Sequence, residues 1–358
     1  MSEESLPPPQ SWLLRWPEVF ADWRGELLAQ WGLQPVRRIG REYVLVRADG
    51  IGVLAMPPAA KWVSWAQPIH HLWPCNPWQT DGFVEKAAGA LARKFAHQPL
   101  QALLVGALDP GNRLARSLAS NLRGRALQLF SAEVAACRDA DAQAPDRPSL
   151  FVLVGEEGLH AGLVTPRAAG GFHPGGTRFI RQSGEGVISR AGAKVAEALH
   201  HLRLYRNALP EGAHWLDLGA SPGGMTAELL ARGCRVTAVD RAPLDPRLKG
   251  AQGLQCVTAD VVDFAPPQGT AYDGILCDMN GETMTAFGQV LRLAAWLKPG
   301  GVAIFTLKLT GVSDAAGADA LEAALIEESG RHGLDWLACR HLTYNRREFT
   351  CFLQRPAE

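Results

Sequence analysis

The sequence lacks paired cysteines and an excess of charge of either sign. Its 358 residues include seven cysteines, which are odd in number, widely spaced and without a CxxC pair: Cys75, Cys137, Cys234, Cys256, Cys277, Cys339 and Cys351. This pattern argues for reduced thiols and against a zinc knuckle or a disulfide framework. Lysine plus arginine (36) equal aspartate plus glutamate (36), so a nucleic-acid surface could only be a local patch.

Long apolar runs are also missing. None approaches the roughly 20 residues that span a bilayer, and the first ten residues, MSEESLPPPQ, are acidic and proline-rich. No cluster of histidine and cysteine suggests a metal site. We therefore expect a soluble, cytoplasmic protein with no membrane partner and no metal.

Tryptophan is concentrated at the start of the chain. Eight of the eleven tryptophans lie in the first 78 residues: Trp12, Trp16, Trp23, Trp31, Trp62, Trp65, Trp73 and Trp78. Such side chains can stack on bases, but they more often form core and rim. A base-binding aromatic needs a basic neighbourhood, which is not visible here, so the core interpretation is favoured. We assign residues 1–80 to a separate α+β subdomain.

Residues 81–170 have a mixed α+β pattern. GFVEKAAGALARKF repeats apolar residues at helical spacing, whereas ALLVGAL, ALQLF and SLFVLVG are typical of strands. A further helix is predicted in GNRLARSLASNLRGRA, with arginines at Arg113, Arg116, Arg123 and Arg125. The first three would share one side of a helix, as a solvated face or a phosphate-contacting patch. The enzyme domain that follows favours the second alternative.

The glycine- and proline-rich segment 166–182 marks a domain boundary. From His214 onward, strands alternate with helices, which predicts a mostly parallel sheet covered on both faces. The last two strands are separated only by residues 343–347, so they should form an antiparallel hairpin. The prediction is an α/β fold with a seven-stranded, mostly parallel sheet of the class I methyltransferase type.

The first strand of that sheet runs into a glycine-rich turn, WLDLGASPGGMTAELL. Gly219, Gly223 and Gly224 lie where a strand's carboxyl end meets a helix, which is the ligand crevice of open α/β sheets. Pro222 breaks the GxGxxG spacing, and GxxxxGK[ST] is absent from the sequence. The turn alone remains compatible with NAD, flavin or S-adenosylmethionine.

Two acids sharpen the choice of cofactor. Asp240 ends the second strand, where a carboxylate can accept ribose hydroxyls, and Asp260 ends the third, where one can accept an adenine amino group. The set favours S-adenosylmethionine over a nicotinamide cofactor. The predicted cofactor-binding residues are Ser189, Gly219, Ala220, Ser221, Pro222, Gly223, Gly224, Asp240, Asp260 and Asp278.

The fourth strand excludes two kinds of methyl acceptor. It ends in CDMNG rather than in the [N/D]PP[Y/F] motif of enzymes that methylate an exocyclic amino group. Cys277 lacks the adjoining proline of a nucleophile that attacks a pyrimidine carbon, so it is interpreted as a packed thiol.

Four charged side chains at element ends could meet at one rim: Lys194, Asp278, Lys308 and Glu348. Lys308 lies inside the apolar run VAIFTLKL, where a lysine is rarely found unless it is paired. SRAGAK, DLGASPGG, CDM, LKL and YNRREFT together resemble the FtsJ-type ribose 2′-O-methyltransferases over residues 183–355. The resemblance implies that these four residues form a catalytic Lys-Asp-Lys-Glu tetrad.

Within that group, DRPSLFVLV, the glycine-rich loop after it and SRAGAK resemble the bacterial ribosomal RNA large-subunit methyltransferase M family. The resemblance implies a THUMP-like RNA-binding domain at 81–170, a methyltransferase domain at 183–358, and a cytidine of 23S ribosomal RNA as substrate. A monomer is expected. Another RNA such as a transfer RNA, a non-catalytic RNA-binding protein and a small-molecule O-methyltransferase remain as alternatives.

The expected mechanism uses Lys308 as general base, Lys194 and Asp278 to position the 2′-hydroxyl, and Glu348 as an orienting carboxylate. Free lysine has a pKa of about 10.4, and burial beside a second ammonium should make Lys194 and Lys308 yield a neutral amine. The N-terminal part would select a folded RNA region with its target nucleotide splayed out. Candidate phosphate contacts are Arg178, Arg181, Arg190, Arg203 and Arg206.

Overall fold

A computed structural model describes residues 6, 9–47, 57–137, 139–176 and 187–357. The chain divides into two compact units, Met1–Arg178 and Phe179–Glu358. Arg178 and Arg181 lie outside the described residues. Among the helices that the structure describes, none combines the length and the apolar character that crossing a membrane requires.

The first unit begins with an antiparallel sheet of order β2-β3-β1-β4. The bounds are β1 Ser11–Arg15, β2 Gln34–Ile39, β3 Tyr43–Arg47, β4 Trp65–Pro68, α1 Arg24–Gln30 and α2 Pro57–Trp62. Trp12, Trp16, Trp62 and Trp65 are buried. The Trp62 ring also meets the ring of Trp23 edge-on at 5.4 Å. The core interpretation of these tryptophans is therefore confirmed.

A second sheet in this unit has the order β5-β8-β7-β6, and only the β6–β7 pair is parallel among its described pairings. The bounds are β5 His71–Trp73, β6 Leu103–Ala107, β7 Ser149–Gly155, β8 Gly158–Val164, α3 Phe83–Phe95, α4 Arg113–Leu127, α5 Ala132–Ala136 and α6 Pro166–Ala169. Leu91 of α3 and Leu122 of α4 pack with Val152 of β7 in one core.

The strand predicted for ALQLF, residues 126–130, is wrong. Asn112 caps α4 by accepting from the backbone N–H groups of Leu114 and Ala115, and the helix continues to Leu127. Leu122 and Ala126 are fully buried one helical turn apart, so the apolar residues of this run complete a helix face.

One arginine of the predicted phosphate-contacting row on α4 is bound within its own unit. Arg123 donates through Nε to the carbonyl of Leu103 at 3.1 Å and through Nη2 to that of Cys137 at 3.2 Å. Arg125 forms an ion pair with Glu85 at 2.8 Å. Arg123 therefore holds its own unit together, and the prediction is wrong for this residue.

The second unit contains a seven-stranded sheet of order β11-β10-β9-β12-β13-β15-β14. Its strands are β9 His214–Leu218, β10 Arg235–Asp240, β11 Leu254–Thr258, β12 Tyr272–Cys277, β13 Leu297–Lys308, β14 Asp335–Arg340 and β15 Glu348–Gln354. Its helices are α7 Ala191–Leu202, α8 Gly224–Ala231, α9 Thr283–Leu293 and α10 Ala315–Arg331. Only β15 runs against its neighbours in this sheet. The predicted fold class and the terminal hairpin are confirmed.

Close packing at the centre of this sheet depends on one glycine. A Cβ added to Gly274 of β12 would lie 2.5 Å from the ring of Trp215 on β9, so no larger residue fits without a shift. All six residues of β12 are buried, as expected for a central strand of a parallel sheet. Because β9 to β13 are parallel, their carboxyl ends share one edge of the sheet. The antiparallel strand β15 begins at that edge.

Candidate active site

The glycine-rich turn joins β9 to α8 at the carboxyl edge of the sheet. Gly219 and Gly223 have φ angles of 71° and 105°, in the left-handed region that favours glycine. The backbone N–H groups of Gly219 and Ala220 donate to the carbonyl of Val239 at 2.9 and 3.2 Å. A Cβ at Gly219 would lie 2.6 Å from Cγ of Met279. The turn therefore lies tightly between β10 and the residues after β12.

The start of α8 packs against the segment that precedes α7. A Cβ on Gly224 would lie 2.0 Å from Oγ of Ser189, so glycine lets the two segments touch. Ser189 Oγ accepts from the backbone N–H of Ala191 at 3.3 Å. The turn also contains a cis peptide bond between Ser221 and Pro222. The structure thus brings the predicted residue Ser189 to the glycine turn.

The two predicted adenosine-binding acids lie at the ends of neighbouring strands. Asp240 accepts from the backbone N–H groups of Ser221 at 2.9 Å and Ala242 at 2.8 Å. Asp260 accepts from the backbone N–H of Val262 at 3.0 Å and lies 3.5 Å from the guanidinium of Arg241. A carboxylate has about four acceptor positions, so each acid retains capacity for a hydroxyl or amino donor. This acceptor set beside a glycine turn fits an adenosine group.

A buried acid under the turn was missed as a functional candidate. Asp217 is 1% exposed and accepts from the Thr226 hydroxyl at 2.6 Å. Burial raises the pKa of Asp217 to about 7, the Thr226 bond opposes the shift, and the negative charges of Asp278 and Asp240 add to it. An aspartate inside the apolar strand WLDL was the available signal.

All four predicted catalytic residues meet at this edge. Lys194 Nζ lies 3.0 Å from Asp278 Oδ2 and 2.6 Å from Glu348 Oε1. Lys308 Nζ lies 3.4 Å from Asp278 Oδ1 and donates to the Asp278 carbonyl at 3.1 Å. Their side chains are 12 to 21% exposed, so the cluster is largely buried but still reachable.

Strand pairing explains part of this meeting. Lys308 is the last residue of β13 and lies opposite Glu348, the first residue of β15. The loop before Glu348 is tied to the helix of Lys194, because Glu197 accepts from the backbone N–H groups of Thr343 at 3.0 Å and Tyr344 at 3.3 Å. Glu197 is 4% exposed and was also missed. Helix α7 therefore positions both Lys194 and the loop that precedes Glu348.

Of the two lysines from which one neutral amine was expected, Lys194 is the charged one, and Lys308 as the base stays a prediction. Burial lowers the pKa of Lys194, but the charge of Asp278 and the hydrogen bond and charge of Glu348 outweigh it, so the pKa is raised. Lys194 is held as a cation between two carboxylates. Spacing along the sequence cannot reveal this, because both partners come from distant strands.

Cys277 is fully buried at the end of β12. Burial raises the pKa of its thiol to about 12, against the opposing backbone hydrogen bond from Met279. Because the thiolate is the nucleophilic form, such a group is inert. The interpretation of Cys277 as a packed thiol is confirmed.

The predicted phosphate contacts are only partly available. The Arg206 guanidinium donates to the carbonyls of Gly300 and Asn207, and burial lowers its pKa, so it serves the fold. Arg190 is exposed immediately before α7, and Arg203 immediately follows that helix. The prediction is therefore wrong for Arg206.

Comparisons with known proteins bear on the same region. A family model, FtsJ-like methyltransferase, matches residues 187–322. Ribosomal RNA large subunit methyltransferase M of Laribacter hongkongensis is 30% identical over 322 residues, 86% of this chain and 74% of that protein. The protein of the same name from Shewanella loihica is 30% identical over 217 residues, which span 58% of its own length. The structure of TrmN from Thermus thermophilus aligns with 96% of this chain and 99% of its own chain at 17% identity. The TM-score of that alignment is 0.37, which is too low to support a conclusion about this chain.

Sheet order, glycine turn and family match together define a class I methyltransferase domain of the FtsJ type. The Laribacter relative extends the match over most of the chain. The chain belongs to the ribosomal RNA large subunit methyltransferase M family. The family and the methyltransferase class that the sequence motifs predicted are thereby confirmed.

Proposed function

We propose that this protein transfers a methyl group from S-adenosylmethionine to the 2′-oxygen of a ribose in RNA. The observation that carries the proposal is the meeting of Lys194, Asp278, Lys308 and Glu348 at the carboxyl edge of the sheet, beside the glycine turn. The proposed substrate is a cytidine of 23S ribosomal RNA; the names of the relatives, which specify ribosomal RNA of the large subunit, support the choice of RNA. Residues 1–80 and 81–170 are proposed to select the RNA, the latter as a THUMP-like domain.

The proposed cofactor site uses the turn and the acids beside it. Asp240 would accept the ribose hydroxyls and Asp260 the adenine amino group, while Gly219 to Gly224 allow close backbone approach. Bound there, S-adenosylmethionine would supply an activated methyl group on a sulfonium. Ser189 and Asp278 flank the same region and complete the proposed set.

Lys308 is the proposed general base because the two lysines have different partners. Lys194 is bound by two carboxylates and held charged, so it cannot take a proton at working pH. Lys308 forms an ion pair with one carboxylate of the described part of the chain, Asp278, which it shares with Lys194. Removing the 2′-hydroxyl proton requires a group that can accept it. Asp278 would orient the hydroxyl and Lys308, while Glu348 orients Lys194.

Site mapping tests the substrate. The purified protein with labelled S-adenosylmethionine is offered naked 23S ribosomal RNA, assembled large subunits and transfer RNA, and digested products are sequenced and analysed as nucleosides. We expect 2′-O-methylcytidine at one position of the 23S molecule. Methylation of transfer RNA instead would favour the alternative RNA, and cofactor binding without any transfer would favour the non-catalytic alternative.

A further inference from the structure

Asn280 contacts the amine of Lys308 from the loop that follows β12. Its Oδ1 accepts from Lys308 Nζ at 2.7 Å, closer than Asp278 Oδ1 at 3.4 Å. Asn280 is exposed, and Gly281 after it has a φ of 119°, so the loop turns sharply at the edge of the site. The proposed base is therefore held by an amide oxygen that carries no charge.

The neutrality of this contact matters for a base. An amide oxygen fixes an amine through one hydrogen bond and brings only a dipole, whereas a carboxylate at the same distance would bring a full negative charge that favours the ammonium form more strongly. The two lysines of the cluster differ in this respect, since Lys194 has two carboxylate contacts within 3.0 Å. Asparagine thus holds Lys308 without placing a second full negative charge beside it.

Among the residues that the structure describes, the charged and titratable groups around Lys308 lie on or directly after β12, on α7 and on β15. They are Asp278, Cys277, Lys194 and Glu348. Glu282, the remaining acid of the loop, caps α9 by accepting from the backbone N–H groups of Met284 and Thr285. Asn280 is therefore the contact at which a single substitution can add one charge beside Lys308.

We propose that Asn280 is a positioning residue that holds the Lys308 amine beside Asp278 through an uncharged contact, leaving the amine free to act as base. The inference rests on the proposed function of Lys308 in 2′-O-methylation. Asn280 acts through Lys308, so its effect should appear in the pH dependence of the rate.

The test compares Asn280→Asp and Asn280→Ala with Gln252→Glu. Gln252 is an exposed residue of the turn before β11, at the amino edge of the sheet, and its substitution introduces a matched negative charge.

Single-turnover methyl transfer is measured from pH 6 to 10. Asn280→Asp should move the half-maximal rate to higher pH by about 1 unit or more. Asn280→Ala should lower the plateau rate about 10-fold, because the amine is misplaced. Gln252→Glu should leave the profile within about 0.2 unit of the parent, since the charge is distant and screened.

A second measurement needs no RNA. The protein is labelled with lysine carrying ¹³C at the ε-carbon, the Lys308 signal is assigned by its loss in Lys308→Arg, and its pH titration is followed by NMR. A higher midpoint in Asn280→Asp but not in Gln252→Glu supports the proposal. Equal midpoints and equal rate profiles in all these proteins would overturn it. If the midpoint moves but the parent methylates no RNA, the proposed function fails while the contact stands.

Discussion

Strands β12 and β13 carry an aspartate and lysine pair at each end, and the two pairs differ in use. At the amino ends, Lys298 Nζ lies 2.8 Å from both carboxylate oxygens of Asp273. At the carboxyl ends, Lys308 Nζ lies 3.4 Å from Asp278 Oδ1, and the other oxygen of Asp278 binds Lys194. At the amino edge, both oxygens of Asp273 therefore bind the same lysine. At the carboxyl edge, the two oxygens of Asp278 face two different lysines.

The two aspartates also differ in the hydrogen bonds that their carboxylates accept. Asp273 also accepts from the backbone N–H of His214 at 2.8 Å. Burial raises the pKa of Asp273, but this bond and the contacts with Lys298 outweigh it, so the pKa is lowered. Asp278 Oδ1 is buried and accepts no hydrogen bond from the described residues. A carboxylate whose partners are complete stabilises the fold, whereas one with an open acceptor can orient a substrate hydroxyl.

The comparison is tested most strongly by removing the lysine at each end. Lys308→Ala should lower methyl transfer by about 10² to 10⁴-fold, the usual contribution of a general base. Affinity for S-adenosylmethionine should stay almost unchanged, as measured by calorimetry, because Lys308 is not a proposed cofactor contact. Lys298→Ala is the matched control and should retain the parent rate. Near-normal turnover in Lys308→Ala would contradict the assignment.

Asp217, at the carboxyl edge of the sheet, should lower the free energy of unfolding at neutral pH. The folded-state pKa of Asp217 is about 7, above its ordinary 3.8, so its stabilising contribution is complete below about pH 4 and is lost as pH rises through 7. Asp217→Asn should remove this dependence and raise the free energy of unfolding at pH 8 by at most about 4 kcal/mol. Urea unfolding of the parent and the variant at pH 4, 6 and 8 measures the free energy of unfolding and its pH dependence. Parallel stability curves for parent and variant would contradict the raised pKa.

The role of Lys194 as a cation can be separated from its shape. Lys194→Met keeps the length of the side chain but leaves Asp278 and Glu348 without their shared cation, so we expect a loss of about 1 to 3 kcal/mol in stability. Lys194→Arg should recover most of that stability. Calorimetric melting of both variants is the measurement, and equal destabilisation by arginine and methionine would indicate a role for shape rather than charge.

The amino-edge pair should give the smallest effect. Lys298 is 42% exposed, so Lys298→Met should cost no more than about 1 kcal/mol. Because the pKa of Asp273 is lowered, its contribution is present above pH 3.8 and is lost as pH falls below that value. Urea unfolding should therefore show a larger difference between the variant and the parent at pH 7 than at pH 3. A lower rate of methyl transfer in Lys298→Met would contradict the conclusion that the amino-edge pair serves stability alone.

The fold was largely predictable because periodicity records burial. Alternation of apolar runs and helical stripes located the parallel sheet, and the short link at residues 343–347 predicted the hairpin. The same signal failed at ALQLF, where apolar residues complete the inner face of α4. Periodicity over five residues cannot separate a strand from a helix end.

The tetrad was predictable as a set of residues, while the contacts within it were not. Motifs at element ends singled out Lys194, Asp278, Lys308 and Glu348, and for Asp278 and Lys308 the reason is that parallel strands bring their carboxyl ends to one edge. Glu197 and Asn280 carried no motif and were missed. Their importance comes from a backbone loop and an amine that reach them from other elements.

By itself, the sequence determined the methyltransferase class, the glycine turn and the four charged residues, because these depend on local chemistry and on the order of elements. Only the tertiary structure decided that, among the described residues, Lys194 has two carboxylate partners and Lys308 shares one of them. The charge state of an amine depends on burial and on neighbours within a few ångströms, and those neighbours lie 84 and 154 residues from Lys194 along the chain.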